Sequence, residues 1–399
     1  MTFYTLQYIS DWWTLRITRG TAPKFWDLEW VLSWANCFKT YGLDVYRYDD
    51  SDRCTGYMYG SNLLRLLNAM NLNENSAIIL GLIFMLFFSI ILGRLASNLV
   101  NGMTLGKSLV LLAFCSPGLW LLVASGNFDI LIIISICVSS FLFYKGKFTF
   151  SLLFILFATV IKFYTIPLLV FLCVCAPNKR SRIISVFFSA LTLFIVYNDL
   201  NRIRNNPLFP SQYFFTFGVI NPGTWWNILI NKLLVSNLTL DTLGKYVLGV
   251  SILTLVFGLN FDYKKIRLHK LSNLFLKKYN FSLVQTTFIF FGLTYLGLFI
   301  QGANYDYKLF YLAVTGLYFI KIYGIKVTFV VPFYLALWLS CFSFGLQSTF
   351  ITKVEVSSLY VFIQFFGDVA NFFVTGIILV AVIETLFVKD DSQKEFGDK

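Results

Sequence analysis

SGNFDILIIISICVSSFLFYKGKFTFSLLFILFATVIKFYTIPLLVFL, residues 125–172, is almost wholly apolar and is cut at only two places by lysine. An apolar run at 128–144 ends at Lys145-Gly146-Lys147, a second covers 148–160, and a third, 164–176, follows Lys162. A helix that crosses a bilayer needs about 20 mostly apolar residues. Lys145 and Lys147 on one flank and Lys179, Arg180 and Arg182 on the other mark the same side of a membrane, because basic loops stay on the cytoplasmic side. The chain between them must therefore leave and return. Residues 148–176 allow two short helices for this, with Lys162 near the apex. A lysine there is expected in a protein-lined cavity at the outer surface, since a charge at membrane depth is costly and marks function by default.

The rest of the chain has the same character. Of its 399 residues, 57% are hydrophobic and 13% charged. Mean hydropathy is +0.71. A soluble globular chain carries about 45–50% apolar and about 25% charged residues, so this sequence holds more apolar surface than a water-soluble core would hide. Disorder is excluded on the same ground. Eleven apolar runs are found: 77–93, 108–124, 128–144, 148–160, 164–176, 182–200, 243–260, 282–300, 309–323, 327–345 and 369–388. The expected fold is all-α, a polytopic integral membrane protein of about 11 membrane segments. Residues 1–76 are expected to form an extracytoplasmic, interfacial loop region that carries the chemistry, 77–388 a transmembrane helical domain, and 389–399 a disordered cytoplasmic tail. No cleavable signal peptide and no membrane-spanning run is read in the first 75 residues.

The net charge of +12 is a topology signal here. No nucleic-acid-binding motif accompanies it. Lys145 and Lys147, Lys179 to Arg182, the basic 261–281 loop, Lys321 and Lys326, and the tail all fall on one side if the passes alternate. The opposite side then receives 1–76, 124–128, 161–163, 201–242, 301–308 and 346–368. Residues 1–76 contain eight of the twenty carboxylates, together with Trp12, Trp13, Trp26, Trp30 and Trp34, a composition suited to lying on an interface. Asp368 and Glu384 read as interfacial. Cys37 and Cys54 lie in this polar segment, and outside the cytoplasm a disulfide between them is permitted. Histidine occurs once, His269, so a multi-histidine metal site is excluded and acid–base chemistry falls to carboxylates, Lys or Tyr.

Four outer elements can carry chemistry. In Trp26-Asp27-Leu28-Glu29-Trp30, flanking aromatics would desolvate Asp27 and raise its pKa, which suits a general base; an interfacial helix with solvated acids is the plain alternative. In Ser125-Gly126-Asn127-Phe128-Asp129, Asp129 can cap a helix, while Asn127 and Asp129 together offer donors and acceptors to sugar hydroxyls. Lys162 can neutralise a phosphate or snorkel to the interface. Asn304-Tyr305-Asp306-Tyr307-Lys308 can bind phosphate and sugar or be an ordinary polar loop.

FWDLEWVLSWANCFKTYGLDVY at 25–46, GYMYGSNLL at 56–64, the 125–172 block and NYDYKLFYL at 304–312 together resemble the GT-C superfamily of integral-membrane glycosyltransferases. The similarity is greatest to glycosyltransferase family 87, the polyprenyl-phosphate-mannose-dependent α-mannosyltransferase type. The resemblance implies a multi-helix membrane fold whose first outer loop carries the catalytic carboxylate, and a lipid-phosphate sugar donor. Carried onto this chain, Asp27 is the base, with Asp44 in reserve. Lys162 matches the family's lysine after the Gly-Asn-x-Asp turn; from the chemistry of the residues themselves, Lys162, Lys308 and Tyr305 are expected at the donor phosphate, and Asn127, Asp129 and Glu29 at the sugar or acceptor. The expected partners are a polyprenyl-phosphate sugar, a glycan or glycolipid acceptor, and membrane lipids, in a bacterial cell membrane with the site facing outward. No cofactor is expected. A divalent metal is left open, with Asp27, Glu29 and Asp129 as its possible carboxylates. The competing readings are a flippase or transporter of lipid-linked oligosaccharides, and a glycan polymerase.

Overall fold

The computed structural model describes residues 25–46, 54, 57, 59–100, 106–116, 119, 122–123, 125–204, 216–217, 227, 240–260, 281–300, 304–305, 308–350 and 358–387. The helices are α1 (Trp26–Tyr41), α2 (Ser61–Ala69), α3 (Ala77–Val100), α4 (Gly106–Phe114), α5 (Asp129–Tyr144), α6 (Phe148–Ile161), α7 (Ile166–Val174), α8 (Lys179–Arg204), α9 (Thr242–Asn260), α10 (Leu283–Ile300), α11 (Leu309–Tyr323), α12 (Val327–Phe350) and α13 (Ser358–Phe387). One two-stranded antiparallel ladder is described, β1 (Thr216–Phe217) with β2 (Asn304–Tyr305), pairing Thr216 with Tyr305.

Helix occupies the apolar runs read from the sequence, although in 108–124 only the first part forms the continuous helix α4. Among the described residues, five helical segments are long and apolar enough to cross a membrane: Glu74–Val100, Lys179–Asp199, Leu243–Asn260, Leu283–Ile300 and Phe365–Leu386. Five shorter apolar helices accompany them, Asp129–Tyr144, Phe148–Ile161, Phe163–Val174, Leu309–Tyr323 and Val327–Leu339. The outer helices turn apolar side chains outward. Ile79, Leu86, Phe187, Phe194, Leu255 and Leu259 are all exposed. Such a surface suits lipid rather than water. At the centre, α11 buries every residue from Leu309 to Ile320. A helix that is apolar on all sides belongs inside a bundle.

Local chemistry sets the element boundaries. Before α3, the Asn73 side chain accepts the Asn75 N–H at 3.0 Å and Ser76 Oγ accepts the Asn73 N–H at 3.5 Å, a cap that starts the helix. Between α5 and α6, Gly146 at φ +72° closes a tight turn. α6 stops where Lys162 turns extended, at φ −141° and ψ 125°. A 3-10 turn, Phe163–Thr165, follows, and Pro167 sits in the first turn of α7, where its missing N–H is harmless.

Helix directions place the functional groups. Phe171 on α7 packs on Phe290 of α10, while Gly297, further along α10, meets the Tyr164 carbonyl before α7. α7 and α10 are thus antiparallel, and α6 and α7 run out and back around Lys162. Cys173 meets Ser189 on α8, and Tyr295 meets Asn371 on α13. It follows that the α5–α6 turn (Lys145, Lys147), the start of α8 (Lys179, Arg180, Arg182) and the α11–α12 turn (Lys321, Lys326) share one end of the bundle. Lys321 Nζ donates to the Asn98 carbonyl near the end of α3. The opposite end gathers the starts of α3, α5 and α11 and the Lys162 break.

Where a loop region was expected, residues 25–46 and 59–76 are largely helical and packed down. α1 buries Leu28, Val31, Leu32 and Ala35 along one face, in the same hydrophobic core as the bundle. The structure joins Cys37 on α1 to Cys54 in a disulfide. The tail at 389–399 lies outside the described residues.

Candidate functional site

The site is built on the turn before α5. Gly126 takes φ +64°, and a Cβ there would lie 2.9 Å from Phe25 Cβ, so only glycine admits the start of α1 this closely. The next residue, Asn127, places its side-chain oxygen over the start of α5, where it accepts the Asp129 N–H at 2.9 Å. Capping falls to Asn127, which leaves the Asp129 carboxylate to other partners.

Those partners come from the α6–α7 break. Lys162 Nζ donates to Asp129 Oδ2 at 2.8 Å and to Asn127 Oδ1 at 3.1 Å. It also lies 4.2 Å from the centre of the Tyr59 ring, a cation–π contact. Tyr164 donates to Asp129 Oδ1, and its hydroxyl is 2.9 Å from that of Tyr311 on α11. Asp129 and Lys162 are buried, at 0% and 3% exposure. A buried charge is tolerated when paired and hydrogen-bonded, and here each is.

α1 brings Asp27 to this cluster. Asn127 Nδ2 donates to Asp27 Oδ2 at 2.7 Å. Asp27 keeps part of its surface accessible although neighbouring atoms surround it deeply. Burial raises its pKa above the ordinary value, opposed by hydrogen bonds from Asn127 and Ser125 and by the charge of Lys162, and reinforced by Asp129. Lys308, just before α11, is buried at 9% exposure and lies 5.5 Å from the centre of the Tyr164 ring. Burial lowers its pKa to about 8, with Lys162 pushing the same way and Asp129 and Asp27 opposing.

A strap over the break completes the site. The Gly60 N–H donates to the Ile161 carbonyl at 3.3 Å, and a Cβ on Gly60 would lie 2.3 Å from the Val160 carbonyl oxygen. Ser61 donates from both N–H and Oγ to Asp199 Oδ2 on α8, at 2.8 and 2.9 Å, which fixes the start of α2. Asp199 also pairs with Arg202 at 3.6 Å.

Of the residues singled out in the sequence, Asp27, Asn127, Asp129 and Lys162 meet in one hydrogen-bonded cluster, with Lys308 beside it. Two assignments change. Asp129 has both carboxylate oxygens engaged and no exposed surface, so it offers nothing to a sugar; it holds Lys162 and Tyr164 in place. Lys162 already spends its charge on Asn127, Asp129 and Tyr59, and Lys308 is a second buried cation beside it. Glu29, two positions after Asp27, points about 200° further around α1, so Asp27, Glu29 and Asp129 do not converge as a metal-binding trio. The side chains of Asp44 and Tyr305 lie outside the described residues. Asp368 is buried within the protein, at 3% exposure. It sits on α13 three residues from Asn371, which with Thr375 takes up the Tyr295 hydroxyl. Tyr59, Tyr164, Tyr311, Asp199 and Ser61 carried no assigned role in the sequence. Tyr164 had one signal, its place two residues after Lys162; Tyr59, Ser61 and Tyr311 lie in the stretches that carry the resemblance, and Asp199 had no signal.

No known family, characterised protein or solved structure matches the chain in comparison.

Proposed function

We propose that the chain is a membrane glycosyltransferase that moves a hexose, mannose being the sugar its resemblance points to, from a polyprenyl-phosphate donor to a glycan or lipid-linked acceptor. On this reading all eleven apolar runs serve as membrane segments, the basic end is cytoplasmic, and the site faces outward from a bacterial cell membrane. The single observation that carries the proposal is a partly accessible carboxylate, Asp27, held by a buried amide 2.7 Å away, at the same cluster as the buried lysines Lys162 and Lys308. Desolvation strengthens Asp27 as a base.

The reaction follows from these groups. Asp27 takes the proton of the acceptor hydroxyl as its oxygen attacks the anomeric carbon. The new C–O bond forms as the bond to the donor phosphate oxygen breaks, and its electron pair leaves on the phosphate. A phosphate leaving group needs no proton, so the site must offer positive charge in place of an acid, and Lys308 supplies it. The transition state is oxocarbenium-like, as in glycoside hydrolysis, and one carboxylate acting as base gives inversion. Buried charges along a central path would suit a transporter; here Asp27, Asp129, Lys162 and Lys308 crowd one end.

The test is transfer of labelled mannose from mannosyl-phosphoryl polyprenol to a glycolipid extract by the purified protein in nanodiscs. Label in the acceptor is the expected result. No transfer from any hexosyl-phosphoryl polyprenol, with translocation of lipid-linked oligosaccharide in liposomes, would overturn the reading.

A further inference from the structure

Asn127 has a side-chain amide that can be turned only one way. Its oxygen already receives two donors, the Asp129 N–H at 2.9 Å and Lys162 Nζ at 3.1 Å. Both are donors that cannot act as acceptors. The amide nitrogen must then face Asp27, and it does so at 2.7 Å. Lys162 is held in turn by Asp129, and Asp129 by Tyr164, which leans on Tyr311. The chain of contacts runs from α11 through the α6–α7 break to α1 and ends on one carboxylate oxygen, Oδ2 of Asp27.

We infer that Asn127 is the positioning residue for Asp27, and that the buried Lys162–Asp129 pair serves to lock its amide rather than to bind a ligand. The amide occupies Oδ2 and fixes the plane of the carboxylate. The charged groups around Asp27 are Lys162 from the break, Asp129 from α5 and Lys308 from the start of α11, with the Ser125 hydroxyl as a further donor. The inference rests on the glycosyl-transfer reading for its catalytic meaning, but the lock itself is a property of the fold.

Asn127→Asp is the discriminating variant. Its carboxylate can still cap α5 and still accept from Lys162, while the one N–H aimed at Asp27 becomes an oxygen. Two carboxylates in contact cannot both ionise readily, so Asp27 should keep its proton to higher pH. In the purified full chain in nanodiscs, kcat is expected to fall about 10- to 100-fold, by analogy with the outer-shell groups that orient metal ligands. The acid limb of the pH–rate profile should move up, with donor KM unchanged. Carbodiimide labelling of Asp27, read by mass spectrometry across pH, should show the same upward shift without any reliance on activity. The paired variant Lys162→Met/Asp129→Leu removes both buried charges together, a change that buried ion pairs often tolerate; it too should lower kcat and spare donor KM. A labelling midpoint in Asn127→Asp equal to that of the parent overturns the inference. So does a paired variant whose only defect is a raised donor KM, which would return Lys162 to the donor. If the parent transfers no sugar but the labelling midpoint still moves, the lock stands and the enzymatic reading falls.

Discussion

Asn127 and Asp27 are 100 residues apart in the chain, yet the Nδ2 of one lies 2.7 Å from the Oδ2 of the other. The contact joins α1 to the turn before α5. It depends on Gly126, whose missing side chain lets Phe25 approach. The buried face of α1 thereby packs into the bundle, and its partly accessible acid meets buried polar groups.

Asp27→Asn should reduce sugar transfer by on the order of 10²–10⁴, the range for loss of a general base. Thermal stability should hold, because the change removes a desolvated charge. Asp44→Asn is the companion variant and should keep activity. Initial rates in nanodiscs check both; full transfer by Asp27→Asn with loss in Asp44→Asn would move the base to Asp44.

The pH–rate profile should be bell-shaped. An ordinary Asp titrates near about 3.9, and burial raises Asp27 above its usual value. Its ionised form is therefore lost earlier as pH falls, and the acid limb should lie higher than for a solvated carboxylate. Lys308 titrates near about 8, so its charge, and with it the hold on a phosphate, is lost as pH rises through that value. Lys308→Arg keeps the cation at all working pH values and should flatten the alkaline limb.

Gly297→Ala should destabilise the protein by about 1–3 kcal/mol, as overpacking does. A Cβ there would fall 2.1 Å from the Tyr164 carbonyl oxygen, a backbone atom that cannot move without shifting the turn behind Lys162. Gly93→Ala, in open space on α3, serves as the contrast and should stabilise by up to about 1 kcal/mol. Thermal unfolding of both variants in one detergent measures the difference.

Removing the Cys37–Cys54 disulfide should cost about 3 kcal/mol, the loop-closure figure for a loop of roughly this length, since the bond spans 17 residues. The Cys37→Ser/Cys54→Ser protein should unfold at lower temperature than the parent. Reductant should lower the parent's midpoint and leave the variant's unchanged. Equal midpoints would mean that α1 is held by its buried face alone.

Lys147→Cys and Asn73→Cys should label from opposite sides of the membrane. Lys147 is exposed in the turn at the basic end, and Asn73 is exposed before α3 at the other. A membrane-impermeant maleimide should reach Asn73→Cys in intact cells and Lys147→Cys only in inverted vesicles. Labelling of both from one side would break the alternating topology.

Much of the scaffold was legible in the sequence. The apolar runs, the breaks at Lys145-Gly146-Lys147 and Lys162, and the shared end of the basic turns are consequences of composition and spacing along a few residues at a time. The site was legible in part. Asp27, Asn127, Asp129, Lys162 and Lys308 stand out as polar residues among apolar ones. Their division of labour did not. Asp129 looked available to a sugar until Lys162 and Tyr164 took both its oxygens, and Lys162 looked available to a phosphate until Asn127, Asp129 and Tyr59 took its charge.

The sequence by itself determined that this chain is a bundle of apolar helices with a charged break, because lipid-soluble helices are specified by local composition and every backbone polar group in them is satisfied within the segment. Only the tertiary structure decided which polar side chains meet. Tyr311 lies 147 residues beyond Tyr164 and Asp199 lies 138 beyond Ser61. Those meetings follow from close backbone approach at Gly60, Gly126 and Gly297, and contact geometry of that kind has no periodicity for a linear sequence to display.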